Sequence, residues 1–344
     1  IALEFGLFDC LTGTIEYFKK DSKDLLFDVS QPASVGVTSI IQNIGKVTNS
    51  GVEIELDYNA FKNKDWSVSV GANATFVKNK IKNLPATMKE NGYISGSKKW
   101  LEGKSIYEFW LRQWHGVDPQ TGDGLYVADV SKYNQGNIGT GDGNITQSQF
   151  DEYKKTVVTI DGKELTNSYT YAKYDFSGSS IPDVFGGFNV RVSYKNFDLA
   201  AVFSYQLGGQ VLDTNYATMM SMTEFGYAQS PDLLKAWKQA GDITEVPRID
   251  NSAAHTTNIG QSYSTRWLTS SDYLNLRSVT IGYQFPKAWL SKVMLKSARL
   301  NLTAENLFML KARQGLNPMA NYSGVTYNEY MPSRNITLGL NVSF

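Results

Sequence analysis

Residues Met331 to Phe344 read M-P-S-R-N-I-T-L-G-L-N-V-S-F. From Arg334 onward the even positions are Ile336, Leu338, Leu340, Val342 and Phe344, and the odd ones are Asn335, Thr337, Gly339, Asn341 and Ser343. Unbroken alternation with a period of two predicts a strand with one apolar and one polar face, because successive side chains on a strand point to opposite sides. The medium that meets each face then sets the fold.

The same pattern recurs along the chain. Ile1, Leu3, Phe5 and Leu7 share a face, and Cys10-Leu11 reads as a tight connection into a strand from Thr12 to about Leu25 carrying Ile15 and Tyr17. After a polar loop with Pro32 and Gly36, the segment Ile40 to Ala60 sets Val52, Ile54, Leu56 and Tyr58 against Glu53, Glu55, Asp57 and Asn59. Past a turn at 61–65, Trp66, Val68, Val70, Ala72, Ala74 and Phe76 alternate with small polar residues. Phe188 to Tyr194, Phe197 to Leu207, Tyr273 to Phe285 and Ala298 to Glu305 supply the remaining strands, nine in all with the last.

Short connections at 10–11, 61–65, 195–196 and 286–296 alternate with long ones at 26–39, 83–181, 208–270 and 311–331. Short turns at one rim and long loops at the other are the signature of an outer-membrane barrel. A soluble sandwich of two sheets also alternates apolar and polar. Three features favour the barrel. The apolar rows suffice for tilted strands of about 9–11 residues to cross hydrocarbon. Aromatic residues sit near the row ends, at Tyr58, Phe61, Trp66, Phe76, Tyr194, Phe197, Tyr283, Phe285 and Phe344, where interfacial girdles belong. The opposite rows carry the small polar and ionisable residues that a wet lumen tolerates. The expected fold is therefore all-β, a transmembrane β-barrel with long extracellular loops at 83–181 and 208–270. The strand-like stretch Ile106 to Trp114 would break the parity of the barrel on its own, so it is assigned to the outer loop.

Composition narrows the function. The 344 residues carry 33 basic and 33 acidic side chains, so net charge makes no electrostatic case for nucleic acid or an anionic membrane surface. One cysteine, Cys10, excludes an intrachain disulfide, and two histidines, His115 and His255, leave little for metal or general-base chemistry. No apolar run approaches 18 residues. The opening Ile1-Ala2-Leu3-Glu4-Phe5-Gly6-Leu7 already alternates, and with no initiating Met the chain reads as the C-terminal piece of a longer polypeptide.

Several motifs, in order and spacing, resemble the C-terminal part of SusC/RagA-type TonB-dependent transporters of Bacteroidetes outer membranes. They include Phe5-Gly6-Leu7-Phe8-Asp9 with Gly13-Thr14-Ile15-Glu16-Tyr17-Phe18, Asn43 to Glu53, Ile181-Pro182-Asp183-Val184-Phe185-Gly186-Gly187, Asp272 to Tyr283, Ala304-Glu305-Asn306-Leu307-Phe308 and the ending from Pro332 to Leu340. The resemblance implies about nine antiparallel strands of a plugged 22-stranded barrel. It further implies import of a large nutrient, glycan or oligopeptide. A SusD-like surface lipoprotein would act as lid. TonB would act through a plug and N-terminal segment lying outside this chain, and the remaining N-terminal part of the barrel and outer-membrane lipid would be the other partners. A siderophore or cobalamin receptor and a non-transporting barrel adhesin are the alternative readings.

No catalytic constellation, metal site or cofactor motif emerges, so the chain reads as a non-enzyme. The acidic row Glu53, Glu55, Asp57 reads as a solvated lumen wall rather than a catalytic carboxylate pair. Gly139 to Ile145 stands where the family often carries an Asp-rich calcium loop. Here Ile138, Thr140 and Gln149 would occupy the ligand positions, so it reads as a Gly-rich turn. The substrate-binding candidates are the outer-loop residues Trp110, Trp114, His115 and Tyr216, since exposed aromatics stack on sugar rings and peptide side chains; packing within a folded outer loop is the alternative reading. A helix is expected at 231–240, with Ser230 as N-cap, Pro231 at its first position and Gly241 past its end, carrying Trp237 as a loop anchor. Met219, Met220 and Met222 form an adaptable apolar cluster that could face the lid.

Overall fold

A computed structural model of the chain describes residues 1–30, 36, 39–141, 143–221, 226, 228–250, 252, 255, 259–260 and 263–344. Its main element is an antiparallel sheet of nine consecutive wall strands, each hydrogen-bonded to its sequence neighbours in the sheet. These are β1 (Ala2–Leu7), β2 (Leu11–Ser30), β3 (Ser39–Lys62), β4 (Trp66–Asn83), β5 (Val184–Tyr194), β6 (Phe197–Leu207), β7 (Tyr273–Gln284), β8 (Ser297–Glu305) and β9 (Asn335–Ser343). A tenth, short strand, Met309–Lys311, pairs with the upper part of β7. The sheet is an open portion of a barrel wall, as the alternation and the short-then-long connections predict.

Register carries the argument from one strand to the sheet. Leu338 pairs with Leu302, Leu302 with Ile281, Ile281 with Leu199, Leu199 with Val192 and Val192 with Val68. Two residues lower, Leu340, Leu300, Tyr283, Phe197, Tyr194 and Trp66 align in the same way. The apolar faces of separate strands thus fuse into one belt, and its lower edge is aromatic: Trp66 lies 4.3 Å from Tyr194 and Phe197 4.6 Å from Tyr283, centroid to centroid. Among the described residues no second sheet packs on this belt. Ile281 and Leu302, each flanked by strands on both sides, are 50% and 43% exposed. A soluble sandwich would bury these positions under a second sheet, so the belt is a face built for lipid.

The polar rows fuse on the other side. Thr280 and Thr303 share a hydrogen bond of 3.0 Å, and Arg299 donates to Asp198 at 2.6 Å across β7. Gly282 makes that reach possible: a Cβ there would lie 2.4 Å from the Arg299 guanidinium and 2.6 Å from the Asp198 carboxylate.

Tight turns close the lower rim. Lys195 takes φ +50° between β5 and β6. Between β1 and β2 the turn residues are Phe8 and Asp9, both at positive φ, with the Cys10 N–H on the Leu7 carbonyl at 3.2 Å. The expected connection at Cys10-Leu11 therefore lies two residues earlier, because the left-handed geometry falls on Phe8 and Asp9. At the other rim β2 and β3 run further than the sequence pattern suggests, to Ser30 and from Ser39. Pro32 lies outside the described residues.

Most of the buried core sits outside the wall. The segments between β4 and β5, β6 and β7, and β8 and β9 pack together over the upper rim. Their largest cluster joins Phe109, Leu111, Leu212, Ala217, Met220 and Leu233 with Ala236, Val246, Ile259, Trp267 and Val325. A second joins the wall tops at Val47 and Ile81 to Leu84 and Met88. Ile106 to Trp114 indeed stays out of the wall: Glu108–Arg112 and Trp114–Val117 are strands of two small loop sheets. Two elements depart from expectation. The helix α1 (Gln147–Thr156) has a full capping box, Thr146 accepting from the Gln149 N–H and the Gln149 side chain closing back on the Thr146 N–H. By contrast, the helix expected at 231–240 is only a 3-10 turn, Pro231–Lys235. Ser230 does cap it, accepting from the Asp232 N–H, but Ala236 turns extended and the Trp237 N–H bonds the Val246 carbonyl at 3.0 Å. A tertiary hydrogen bond thus outcompetes helix propagation.

Candidate functional site in the outer loops

The loops bring three of the four candidate residues into one connected array of aromatic and guanidinium groups. Trp110 stacks on Tyr174 with ring planes 4° apart at 6.1 Å and meets the edge of Phe176 at 4.9 Å. Arg112, two residues along the same strand, lies over the rings of Tyr174 (4.4 Å) and Tyr169 (3.4 Å), and its guanidinium donates to the Tyr174 hydroxyl. Tyr169 meets Tyr126 edge-on at 5.8 Å, and Tyr126 meets Trp114 at 5.1 Å. Arg266 then bridges Trp114 (4.7 Å) and Trp267 (4.3 Å). Trp267 contacts Tyr216 at 5.9 Å, and Arg313 covers the Tyr216 ring at 3.5 Å while pairing with Asp213.

Cation–π and edge-to-face contacts of this kind each contribute about 0.5–1.5 kcal/mol and favour fixed ring orientations. The array is therefore a rigid scaffold that crosses from Trp110 in the first long loop to Arg313 in the last. Local sequence explains its parts. On Glu108–Arg112, the odd residues Phe109 and Leu111 point into the buried core while Glu108, Trp110 and Arg112 face the other way. Tyr216 is placed by helix α2 (Thr214–Met219), whose N-cap Asp213 accepts from the Tyr216 N–H at 3.0 Å. Its hydroxyl donates to Asp232 at 2.7 Å, fixing the ring at both ends.

Electrostatics follow burial. Burial pushes the Tyr169 hydroxyl up to about 12 and raises Tyr126 further still, so both stay neutral. Desolvation among the tryptophans pushes the Arg266 guanidinium down to about 10, which leaves it charged at neutral pH. The Lys235 ammonium and then the Tyr216 hydroxyl hold Asp232 below the usual carboxylate range. Beneath the array, Lys98 donates to the Tyr107 carbonyl at 2.9 Å and to Ser180 at 3.3 Å, with its ammonium 3.1 Å from the Phe109 ring centroid. Burial pushes that ammonium down to about 7, against the pull of Glu108.

His115, the fourth candidate, is exposed and lies apart from these contacts. Trp237 anchors its loop without a helix beneath it: its indole N–H donates to the Pro119 carbonyl at 3.0 Å. Nearby Asp123, Arg248 and His255 interlock, with Arg248 Nε 3.0 Å from Asp123 and His255 Nε2 2.7 Å from the Arg248 carbonyl. Of the methionines, Met220 is core and Met219 is exposed, while Met222 lies outside the described residues. The same holds for Asp142 of the glycine-rich turn. Around it the Gly139 N–H bonds the Ile145 carbonyl and Ile138 packs on the Tyr133–Tyr153 cluster. Among the described residues no group of three or more His, Cys, Asp or Glu could hold a metal ion. The sequence reading missed Arg112, Arg266 and Arg313, each of which joins at least one aromatic from a distant segment, Tyr174, Trp114 and Tyr216 respectively.

An antiparallel wall with a bare apolar belt and long, folded loops at one rim has the form of part of a transmembrane β-barrel. The sequence model of the family described as TonB dependent receptor-like, beta-barrel matches residues 2–171. The chain is 28% identical over 363 residues to the TonB-dependent receptor P3 of Formosa agariphila, covering all of this chain and 33% of that protein. It is 24% identical to the TonB-dependent receptor SusC of Bacteroides thetaiotaomicron, covering 99% and 31%. Among solved structures, the RagAB peptide importer in its closed-closed state matches at a TM-score of 0.77 and 25% identity, covering 100% of this chain and 35% of that one. Along its whole length the chain is similar to TonB-dependent receptors, SusC and the RagAB importer among them, and it spans about a third of the length of these relatives.

Proposed function

We propose that this chain supplies wall and substrate-enclosing outer loops to a TonB-energised importer of a large nutrient, glycan or oligopeptide, closed from outside by a SusD-like lipoprotein. The loop regions 83–181 and 208–270 are its extracellular part, and the barrel resides in the outer membrane. The observation that carries this reading is the joint one: a wall with its apolar belt bare, topped by loops that share one core and one rigid aromatic array. The partly buried rings of the array, Trp110, Trp114 and Tyr216 among them, lie beside fixed cations, a combination that suits sugar rings and peptide side chains alike. Trp110, Trp114 and Tyr216 hold that array, and exposed His115 lies at its margin. The role is binding and passage rather than bond chemistry. Likeness to SusC and to the RagAB peptide importer supports an importer of this type over a siderophore or cobalamin receptor.

The test is uptake by cells lacking the full-length protein, supplied with candidate glycans and peptides, together with recovery of the protein in mild detergent. The expected result is loss of growth on one nutrient class and co-purification of a surface lipoprotein. Unimpaired uptake of every large nutrient, or recovery of the barrel alone, overturns it.

A further inference from the structure

The outward face of the wall changes chemistry abruptly at the top of β4. Going up that face, Phe76 is followed by Lys78 and Lys80, and on β2 Tyr17 is followed by Lys19. Ser50 of β3 pairs with Lys19 on one side and Lys78 on the other, so both lysines stand at one height. With strands about 4.8 Å apart, their Cα atoms lie roughly 10 Å from each other. Below them, the apolar row of β4 runs from Trp66 to Phe76. At about 3.4 Å per residue and a tilt near 40°, that row spans roughly 25 Å, the height of a barrel's hydrocarbon band. Lys78 therefore sits just past the edge of the hydrocarbon.

A cavity of about 680 Å³ opens at this level. It exists because β5 stops at Val184, leaving the top of β4 without a wall neighbour. The chain near Lys104 takes that place: the Ile81 N–H donates to the Lys104 carbonyl at 2.8 Å and the Gly103 N–H to the Ile81 carbonyl at 2.9 Å. Tyr17, Val52 and Phe76 line the cavity from below, with Lys78, Lys80 and Lys104 beside them. Two carboxylates, Glu108 and Asp183, also line it. Glu108 is drawn to the Lys98 ammonium, while Asp183 packs against Gly208 and forms no ion pair among the described residues. Lys19, Lys78 and Lys80 are exposed and form no ion pair among the described residues, and the Lys104 ammonium sits 4.7 Å over the Phe176 ring.

We propose that this cavity holds the phosphate-bearing headgroup of an outer-leaflet glycolipid. Acyl chains lie along Tyr17, Val52 and Phe76, and phosphate oxygens accept hydrogen bonds from Lys78, Lys80 and Lys104. The chemistry fits on both counts: apolar and aromatic surface at acyl depth, and three cations, Lys78 and Lys80 outside any ion pair among the described residues, at the depth where anionic phosphate sits. A bound glycolipid would fasten the first long loop, through Lys104, to the membrane surface. The inference rests on the outer-membrane reading above.

The experiment uses the full-length protein in detergent and native mass spectrometry, with bisphosphorylated lipid A, its dephosphorylated form and inorganic phosphate as probes. The expected result is one bound bisphosphorylated lipid, weakened about tenfold or more by Lys78→Gln/Lys80→Gln/Lys104→Gln together. Lys163→Gln/Lys238→Gln, on exposed loops, leaves binding unchanged, and inorganic phosphate fails to displace the lipid. Equal binding of the dephosphorylated lipid, equal binding by the triple variant, or displacement by free phosphate overturns the site while leaving the barrel intact. A protein that stays soluble without detergent fails at the earlier step and overturns both readings.

Discussion

The wall and the loops use the same apolar residues to opposite ends. Leu338, Leu302, Ile281 and Leu199 form a row across four strands and are exposed along their length, whereas Phe109, Leu111, Leu212 and Trp267 in the loops are buried to within 3%. The wall's cohesion comes from its ladder of backbone hydrogen bonds, which hydrocarbon makes obligatory. The loops meet water, and their cohesion comes from a packed core and from the guanidinium–aromatic array. Hydrophobic burial thus holds the loops as it holds any soluble domain, while in the wall the apolar residues face the surrounding medium.

That contrast can be broken at either end. The largest expected effect is in the loops. Phe109→Ala, at a position with no exposed surface that also carries the Lys98 ammonium on its ring, costs about 3–5 kcal/mol of loop stability. Proteolysis of the full-length protein should then cut the loops while the wall survives. Equal protection in the variant would mean that the loop core contributes nothing. In the wall, Leu302→Lys costs about 2–4 kcal/mol when the membrane-embedded barrel is unfolded, and Thr303→Lys, one residue on and facing the other way, costs far less. Equal costs at 302 and 303 would erase the distinction between the faces.

The wall was legible because its signal is local. A period of two, read over nine stretches, already names the face of each residue, and register merely joins the faces. The turn at Phe8 and Asp9 was displaced because positive φ at non-glycine residues has no reliable sequence mark. The site was legible only in its aromatic half. Trp110, Trp114 and Tyr216 drew notice as aromatics in loops, but their partners Tyr174, Arg266 and Arg313 arrive from distant segments, and no periodicity connects them. Helix α1 shows the converse: Thr146 and Gln149 spell a capping box that is local and visible in the sequence. At 231–240 the local signal was read correctly at Ser230 and then overridden by the Trp237–Val246 hydrogen bond.

The central claim is that the fused apolar belt touches acyl chains. Nitroxide labels placed singly at positions 302 and 303 of the full-length protein in bilayers test it most directly, by comparing relaxation from apolar oxygen with that from a water-soluble nickel chelate. The account predicts that oxygen dominates at 302 and that the chelate reaches 303. A label at 302 shielded from both, or reached better by the chelate, would contradict it.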